Sequence, residues 1–321
     1  MKLLVTGGAG FIGTNLIQLL LAETDHHVVC FDLLTYAGRR ENCAHLEASG
    51  RYDFVRGDVA DGAAVATALA EHRIEAIIHL AAESHVDRSI RDATPFIRTN
   101  VQGTQTLLDA ARDADIGFFL QVSTDEVYGE LGLDDPPFNE GSPIRPSSPY
   151  AASKAAADLL VLAAHRTHGQ PVAITRCSNN YGPYQFPAKL IPVAIAHARA
   201  GEPVPVYGRG TNVRDWIHVS DHCRGLIAVL EHGQPGRIHH FGGGEERRNI
   251  DLVKTLLAEM GCPLDRFCFV ADRPGHDLRY AIDCTRTVHE LGWAPRVSFG
   301  EGLRETLAWY AEHESWPEER T

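Results

Sequence analysis

A glycine-rich turn near the start of the chain is the feature that most constrains the fold. A short apolar strand, Lys2 to Thr6, runs directly into Gly7, Gly10 and Gly13. A helical segment follows the turn, and a second apolar strand then ends at Asp32. A strand, a glycine turn, a helix and an acid about 20 residues further on form the fingerprint of a dinucleotide-binding βαβ unit.

The residues of this fingerprint have separate physical roles. Gly7 allows the tight turn, Gly10 lets the backbone approach a pyrophosphate, and Gly13 lets the helix pack closely on the strand. The N-terminus of the helix would face the phosphates. Asp32 would accept a hydrogen bond from a ribose 2′-hydroxyl and would repel a 2′-phosphate, so the sequence predicts NAD in preference to NADP.

Strands and helices continue to alternate through the first half of the chain, and the pattern loosens beyond residue 180. Repeated βα units predict a parallel sheet with helices on both faces and ligands at the carboxyl ends of the strands. We therefore predict an α/β protein with a Rossmann-type doubly wound parallel sheet and a smaller C-terminal α/β substrate-binding lobe. The expected division is 1–180 for the NAD-binding domain, with the catalytic residues, and 181–321 for the lobe, the chain crossing between them more than once.

Composition narrows the classes of function. The formal net charge of −12 gives no reason to expect binding to nucleic acid or to an anionic membrane. No apolar run approaches the roughly 18 residues of a membrane span. The seven cysteines include no CxxC pair, which favours free thiols in the cytoplasm. The 17 histidines lack metal-site spacing, so no metal is predicted.

A second cluster of polar residues indicates acid–base chemistry. A buried strand is predicted to end in Thr124, Asp125 and Glu126, and Tyr150 and Lys154 follow at the i, i+4 spacing of one helix face. An ammonium group beside a phenol lowers the phenol pKa, which would make Tyr150 a usable base. Taken alone, the same residues also fit solvated carboxylates at a strand end and an ordinary surface pair on a helix.

Longer motifs around these residues resemble the extended short-chain dehydrogenase/reductase superfamily and, within it, the dTDP-glucose 4,6-dehydratases. The glycine turn and the Tyr150-xxx-Lys154 pair are shared with epimerases and decarboxylases. The adjacent acids Asp125 and Glu126 discriminate, because epimerase-like relatives usually carry small or hydroxyl residues there. The resemblance covers nearly the whole chain, with its specific motifs at 81–89, 123–129, 176–186, 212–216 and 272–277.

The resemblance implies a complete reaction on dTDP-glucose. Tyr150, assisted by Lys154 and Thr124, would take the proton of the sugar 4-hydroxyl while hydride passes from C4 to NAD. Glu126 would remove the C5 proton, Asp125 would protonate the departing 6-hydroxyl, and hydride would return to C6 to give dTDP-4-keto-6-deoxyglucose. Such an elimination needs a base and an acid at neighbouring carbons, which two carboxylates with different pKa values can supply.

The resemblance also implies two sets of binding residues, and the cations among them suit an anionic diphosphate. The residues implied to bind NAD are Gly7, Gly10, Phe11, Ile12, Gly13, Asp32, Leu33, Thr35, Asp58, Val59, Ala81, Ala82, Ser84, Thr99, Tyr150, Lys154 and Asn180. Those implied to bind the nucleotide sugar are Ser84, Thr124, Asn179, Lys189, Leu190, Pro205, Tyr207, Arg214, Asn249, Arg273 and His276.

Two departures from the family pattern leave the substrate open. Ala188 stands beside Lys189 where the family usually has a glutamate, and Leu278 replaces a frequent arginine. A dehydratase acting on a UDP-sugar, or on an amino- or deoxy-hexose, is therefore an alternative. The nearest rival activity is that of an NAD-dependent nucleotide-sugar epimerase, which would give an isomer without loss of water. An NAD-sensing regulatory protein is disfavoured, because a sensor has no use for Tyr150, Lys154 and both acids together.

The family further implies a homodimer. Two helices, at 94–113 and 150–165, would pair with those of a second copy in a four-helix contact. Alanines such as Ala151 and Ala155 permit close helix approach, and leucines such as Leu159 supply apolar area.

Overall fold

In the computed structural model, which describes residues 1–313 and Trp316, strands and helices alternate along most of the chain. The strands are β1 (Lys2–Thr6), β2 (His27–Asp32), β3 (Tyr52–Arg56), β4 (Ala76–His79), β5 (Phe118–Thr124), β6 (Val172–Cys177), β7 (Asn179–Tyr181), β8 (Val204–Tyr207), β9 (Val213–His218), β10 (Ile238–Phe241), β11 (Glu246–Arg248) and β12 (Phe267–Val270). The helices are α1 (Phe11–Glu23), α2 (Gly62–His72), α3 (Val86–Arg91), α4 (Thr94–Phe96), α5 (Gly103–Asp113), α6 (Pro149–His168), α7 (Leu190–Ala200), α8 (Val219–His232), α9 (Asn249–Glu259), α10 (Thr285–Leu291) and α11 (Phe299–Glu312).

The largest sheet has seven strands in the order β3-β2-β1-β4-β5-β6-β10, and every pair of neighbours is parallel. This arrangement confirms the predicted Rossmann-type doubly wound fold. The direction of winding reverses between β1 and β4, and ligands of such sheets bind in the crevice at that reversal.

Two hydrophobic cores cover the faces of this sheet. Leu16 and Ile17 of α1 and Leu226 of α8 are fully buried in the core on one face. Leu107 of α5 and Val161 of α6 are fully buried in the core on the other. A sheet covered on both faces needs continuous apolar strands, which explains why β1, β2 and β4 contain so few polar residues. Among the described residues, no helix is both long and apolar enough to cross a membrane.

A smaller layer is built mainly from the second half of the chain. It contains a three-stranded sheet of order β11-β9-β7 and a pair of parallel strands, β8 and β12. Its core includes Ile195 of α7, Val206 of β8, Trp216 of β9, Leu256 of α9 and Leu303 of α11. Strand β10 nevertheless belongs to the large sheet, so the chain returns to it well after residue 180. The exact bounds of the two domains remain a prediction.

The helix predicted over 94–113 is interrupted. Residues Ile97–Gln102 form a π-helical segment between α4 and α5. Within it the buried Asn100 uses its side-chain amide to bond Glu83 and Ser153 rather than facing solvent. Segments of this kind are frequent at functional sites, and this one lies beside the helix that carries Tyr150.

Candidate active site

A cavity of about 300 Å³ opens at the carboxyl ends of the strands of the large sheet. Its wall contains every residue predicted to be catalytic and every residue predicted to bind NAD. These residues come from the ends of β1, β2, β3, β4 and β5, from the start of α1, from the π-helical segment, from α6 and from β7. The topology therefore brings together side chains and glycines that are up to 173 residues apart in sequence, from Gly7 to Asn180.

At one end of the cavity the backbone itself forms the surface. Gly7 has a φ of +68°, and a Cβ there would lie 2.7 Å from the nitrogen of Ala81. A Cβ on Gly13 would lie 2.3 Å from the oxygen of Gly7, so only glycine fits at either position. Helix α1 begins after Gly10 without a side-chain cap, which leaves its first N–H groups to a ligand. This end fits a dinucleotide pyrophosphate.

Asp32 completes the cofactor end at the last residue of β2. Its carboxylate accepts hydrogen bonds from the backbone nitrogens of Ala9, at 3.0 Å, and Leu34, at 2.7 Å. Burial raises the Asp32 pKa, while these two N–H groups act in the opposite direction. Both bonds fix the position of the carboxylate and leave it lone pairs with which to accept from ribose hydroxyls.

Strand β5 ends in the residues predicted to carry the acid–base chemistry. Thr124 Oγ1 accepts from the backbone nitrogen of Glu126 at 3.2 Å and caps the 3₁₀ turn that begins there. The same hydroxyl donates to Asp125 Oδ1 at 3.3 Å. This turn directs both carboxylates to the cavity, and Asp125 is the more deeply buried, with 1% of its surface exposed.

The two adjacent acids have different electrostatic surroundings. Burial raises the pKa of Asp125 well above its usual value, and the neighbouring carboxylates of Glu126 and Asp215 raise it further. Burial also raises the pKa of Glu126, but Arg273 and Lys189, followed by Arg214, oppose that rise. Asp125 therefore favours its protonated form, and Glu126 has the better support for a charged one.

Tyr150 and Lys154 both line the cavity from the first turns of α6, but their interaction differs from the prediction. Burial raises the pKa of Tyr150 well above its usual value, and Glu126 and Asp125 add to that rise. The ammonium of Lys154 donates to the carbonyl of Val122 in β5 at 2.6 Å. The expected lowering of the Tyr150 pKa by Lys154 is wrong in this structure, because the phenol faces carboxylates and the ammonium is bonded to the sheet.

A buried ion pair lies one turn further along α6. Burial lowers the pKa of Lys154, whereas Asp158, four residues on, opposes that change. Asp158 Oδ2 in turn accepts from Arg176 Nε at 2.9 Å, and both side chains are fully enclosed. Asp158 therefore supports the positive charge of Lys154 while it is itself paired with Arg176.

Three predicted substrate cations act on the carboxylate of Glu126. Lys189 donates to the carbonyl of Ser84 at 2.9 Å, and it lies in the cavity wall. Arg214 donates to the carbonyl of Asp277 at 2.9 Å and is 4% exposed. Arg273 is half-buried, with its nearest acid, Asp87, at 3.9 Å. All three cations stabilise a negative charge on Glu126.

The predicted substrate residues divide into two groups. Ser84, Thr124, Asn179 and Lys189 lie in the wall of the cavity. The others lie in the smaller layer, where Tyr207 packs its ring edge-on against His276 at 6.2 Å. By element, these are Leu190 in α7, Pro205 and Tyr207 in β8, Arg214 in β9, Asn249 in α9, and Arg273 and His276 in the loop after β12.

Sequence reasoning missed several residues of the site. Cys177 and Ser178 line the cavity at the end of β6, a position that the strand-end rule could have indicated. Asn100 accepts from Glu83 N at 2.9 Å and donates to Ser153 Oγ at 2.8 Å, so it ties the loop after β4 to α6. No local pattern in the sequence signals that contact.

Comparison with known proteins identifies the class. A family model described as GDP-mannose 4,6 dehydratase matches residues 4–306. A dTDP-glucose 4,6-dehydratase from Actinoplanes sp. is 50% identical, over 98% of this chain and 99% of its own length. One from Streptomyces griseus is 51% identical, over 98% and 95%. The crystal structure of the dTDP-glucose 4,6-dehydratase DesIV from Streptomyces venezuelae, solved with NAD bound, has a TM-score of 0.96 at 51% identity and covers 99% of each chain.

Matches of this extent define the class as nucleotide-sugar 4,6-dehydratases. Within that class, the chain belongs to the dTDP-glucose 4,6-dehydratase family, which confirms the membership predicted from its motifs.

Proposed function

We propose that this protein removes water from dTDP-glucose to form dTDP-4-keto-6-deoxyglucose, with NAD regenerated in each turnover. The observation that carries the proposal is the pair Asp125 and Glu126, which shares one cavity with Tyr150 and Lys154. The predicted NAD-dependent dehydratase activity is confirmed by the family, and NAD is present in its solved members. The role of each residue is our proposal.

When bound, NAD would supply the acceptor for hydride from C4 and return that hydride to C6. The glycines at the start of α1 would hold its pyrophosphate and Asp32 its ribose. Tyr150 would take the proton of the 4-hydroxyl, although burial and the carboxylates of Glu126 and Asp125 raise its pKa. The role therefore depends on the positive charges of Lys154 and of bound NAD, which would favour the phenolate. Lys154, which donates to the Val122 carbonyl, would hold its positive charge in the wall of the cavity.

Asp125 and Glu126 divide the elimination between them. Burial holds the pKa of Asp125 well above its usual value, which favours the protonated form that can give its proton to the departing 6-hydroxyl. Lys189, Arg214 and Arg273 favour the carboxylate of Glu126, which can remove the C5 proton that a 4-ketone has made acidic. After elimination, Glu126 would return that proton to C5. Environments that separate the pKa values of two acids are typical of acid–base pairs.

The same three cations would also bind the substrate diphosphate. Arg273 suits this role best, because its Nε is buried without a hydrogen-bond partner among the described residues. Arg214 is already held by backbone carbonyls and would present only part of its guanidinium. One group of cations would therefore both anchor the nucleotide sugar and keep the base ionised.

Mass spectrometry of the product tests the proposal. Purified protein, with the NAD that it carries, would be incubated separately with dTDP-glucose and UDP-glucose. We expect loss of one water from dTDP-glucose. Loss from UDP-glucose alone would connect Ala188 with nucleotide preference, and unchanged mass with altered stereochemistry would favour an epimerase.

We also propose a cytoplasmic homodimer. Ile97 and Leu159 are 52% and 55% exposed, although both are apolar, and they belong to the two helical regions predicted to pair. All seven cysteines are free thiols, which suits a reducing compartment. Sedimentation velocity tests the dimer, and Leu159→Glu should shift the protein towards the monomer.

A further inference from the structure

A histidine behind the cavity wall contacts one of the residues that form it. His222 lies near the start of α8 and is fully buried. Its Nδ1 is 2.9 Å from Oδ1 of Asn180, and Asn180 lines the cavity. No step of the proposed reaction uses His222.

The other contacts of Asn180 fix the direction of this hydrogen bond. Its Nδ2 lies 3.0 Å from the carbonyl oxygen of Ser178 and 3.3 Å from Sγ of Cys177. Because a backbone carbonyl only accepts, the amide nitrogen must face Ser178, and Oδ1 must face the histidine. An amide oxygen also only accepts, so His222 must carry its proton on Nδ1. Burial lowers the pKa of His222 to about 3, which leaves the ring neutral with that single proton.

The orientation of the Asn180 amide affects several residues of the wall. Its backbone oxygen accepts from Nε2 of Gln185 at 2.9 Å, and Gln185 also lines the cavity. Cys177, which receives the amide nitrogen, is itself placed 3.5 Å from the carbonyl of Ser123 at the end of β5. Without the histidine donor, the amide could rotate and set its oxygen against the Ser178 carbonyl, which is a repulsive contact.

We propose that His222 is a positioning residue of the cofactor site, because its Nδ1–H fixes the Asn180 amide in the wall that the nicotinamide end of NAD contacts. The inference rests on the proposed function, since it takes NAD as the ligand. The family resemblance implies that Asn180 lies on the nicotinamide side, and Asn180 does bond Cys177, which contacts the end of the strand that carries Thr124.

Three substitutions separate the hydrogen bond from the bulk of the ring. His222→Asn keeps an N–H near the position of Nδ1, His222→Gln moves it towards the position of Nε2, and His222→Phe keeps a ring without a donor. The rate of NAD release is measured by exchange of bound NAD for radiolabelled NAD. It should rise roughly 10-fold in the Phe and Gln variants and less than about 3-fold in the Asn variant. The KM for the nucleotide sugar should not change.

Two further variants control for structural damage. His239 is another buried neutral histidine, 1% exposed, with its pKa lowered by burial to about 4. His239→Phe should lower Tm to a similar degree without changing NAD release. Asn180→Ala should speed release as much as His222→Phe, and the double variant should be no faster than the faster single variant.

The inference is overturned if the rate of NAD release is unchanged in His222→Phe. It is also overturned if the rise in that rate simply follows the loss of Tm in the Asn and Phe variants alike. A double variant whose rate reflects the sum of both single effects would overturn it as well. None of these results concerns product formation by the unaltered protein. Failure of that protein to dehydrate dTDP-glucose would instead reject the proposed function, whatever the release rates are.

Discussion

The two ends of the cavity are built in different ways. The cofactor end is shaped by backbone: Gly13 approaches Gly7 so closely that a Cβ would lie 2.3 Å from the Gly7 oxygen, and backbone N–H groups hold Asp32. The catalytic end is made of charged side chains, such as Glu126 and Arg273, from distant segments. One end depends on shape and the other on charge. Substitutions at either end should therefore leave the function of the other intact.

The largest effect should follow removal of the charge on Glu126. Glu126→Gln keeps the size of the side chain but cannot take the C5 proton, so kcat should fall roughly 10³-fold. Binding of NAD and dTDP-glucose, measured by calorimetry, should change less than about 3-fold. Glu71→Gln, at an exposed position on α2, serves as the control. Dehydration by Glu126→Gln at the rate of the unaltered protein would reject Glu126 as the base.

A substitution at the cofactor end, Gly13→Ala, should alter the shape of the cavity without changing any charge. In Gly13→Ala the new methyl group would meet the Gly7 oxygen and the Gly8 backbone, neither of which is a flexible side chain. Retention of NAD after gel filtration should be lost, with affinity reduced about 100-fold or more. Gly62→Ala is the control, because its Cβ would lie 3.6 Å from a methyl group of Thr106. If Gly13→Ala retained NAD and the Gly62 variant lost it, the glycine cradle would have been assigned incorrectly.

The cofactor end could be predicted almost completely, because its residues follow one another in sequence. The strand, the turn and α1 fall within the first 23 residues, and Asp32 ends the next strand. Strict steric limits make the pattern specific, since Gly13 accepts no side chain. For the catalytic end, the family motifs identified which residues take part. They did not reveal the directions in which the pKa values of these residues are shifted.

Contacts between distant segments explain what the sequence could not reveal. The i, i+4 spacing indicates that Tyr150 and Lys154 share a helix face, but not that the carbonyl of Val122, 32 residues earlier, takes the ammonium. Likewise, helical periodicity predicts a continuous helix at 94–113, but not that Asn100 bonds a loop and a second helix. Such pairings depend on tertiary packing, which local propensity does not encode.

Substitutions of Arg273 and Arg214 should have smaller effects, and they should distinguish a residue that only binds the substrate from one that also stabilises the fold. Arg273→Met should raise the KM for dTDP-glucose roughly 10- to 100-fold, because a charged hydrogen bond to phosphate is lost, with NAD affinity unchanged. Arg214→Met should in addition lower Tm, since Arg214 donates to the carbonyls of Val213 and Asp277. Steady-state kinetics and thermal unfolding distinguish the two. Arg248→Met, on the surface, is the control, and an equal rise in KM there would argue against a specific phosphate site.

The smallest expected effect is on thermal stability, which should depend on pH because the carboxyl group of Asp125 is buried. Its folded-state pKa is raised above the unfolded value of about 3.9. The stability associated with the protonated carboxyl is therefore fully present below the unfolded pKa and is lost as pH rises through the folded pKa. Asn has no such proton to lose, so Asp125→Asn should gain stability relative to the unaltered protein as pH rises.

Thermal unfolding at two pH values measures this difference. At pH 8, Asp125→Asn should unfold roughly 2–5 °C above the unaltered protein. The gap should shrink towards pH 5, because less of the stability linked to the protonated carboxyl of Asp125 is lost at a pH nearer the unfolded pKa. Dehydration should fall strongly at both pH values, because the proton donor is gone. Asp113→Asn, at an exposed position on α5, should shift Tm by the same small amount at each pH. A difference in Tm between Asp125→Asn and the unaltered protein that stays constant with pH would mean that Asp125 is ionised in the folded protein. The roles of acid and base would then have to be exchanged between Asp125 and Glu126.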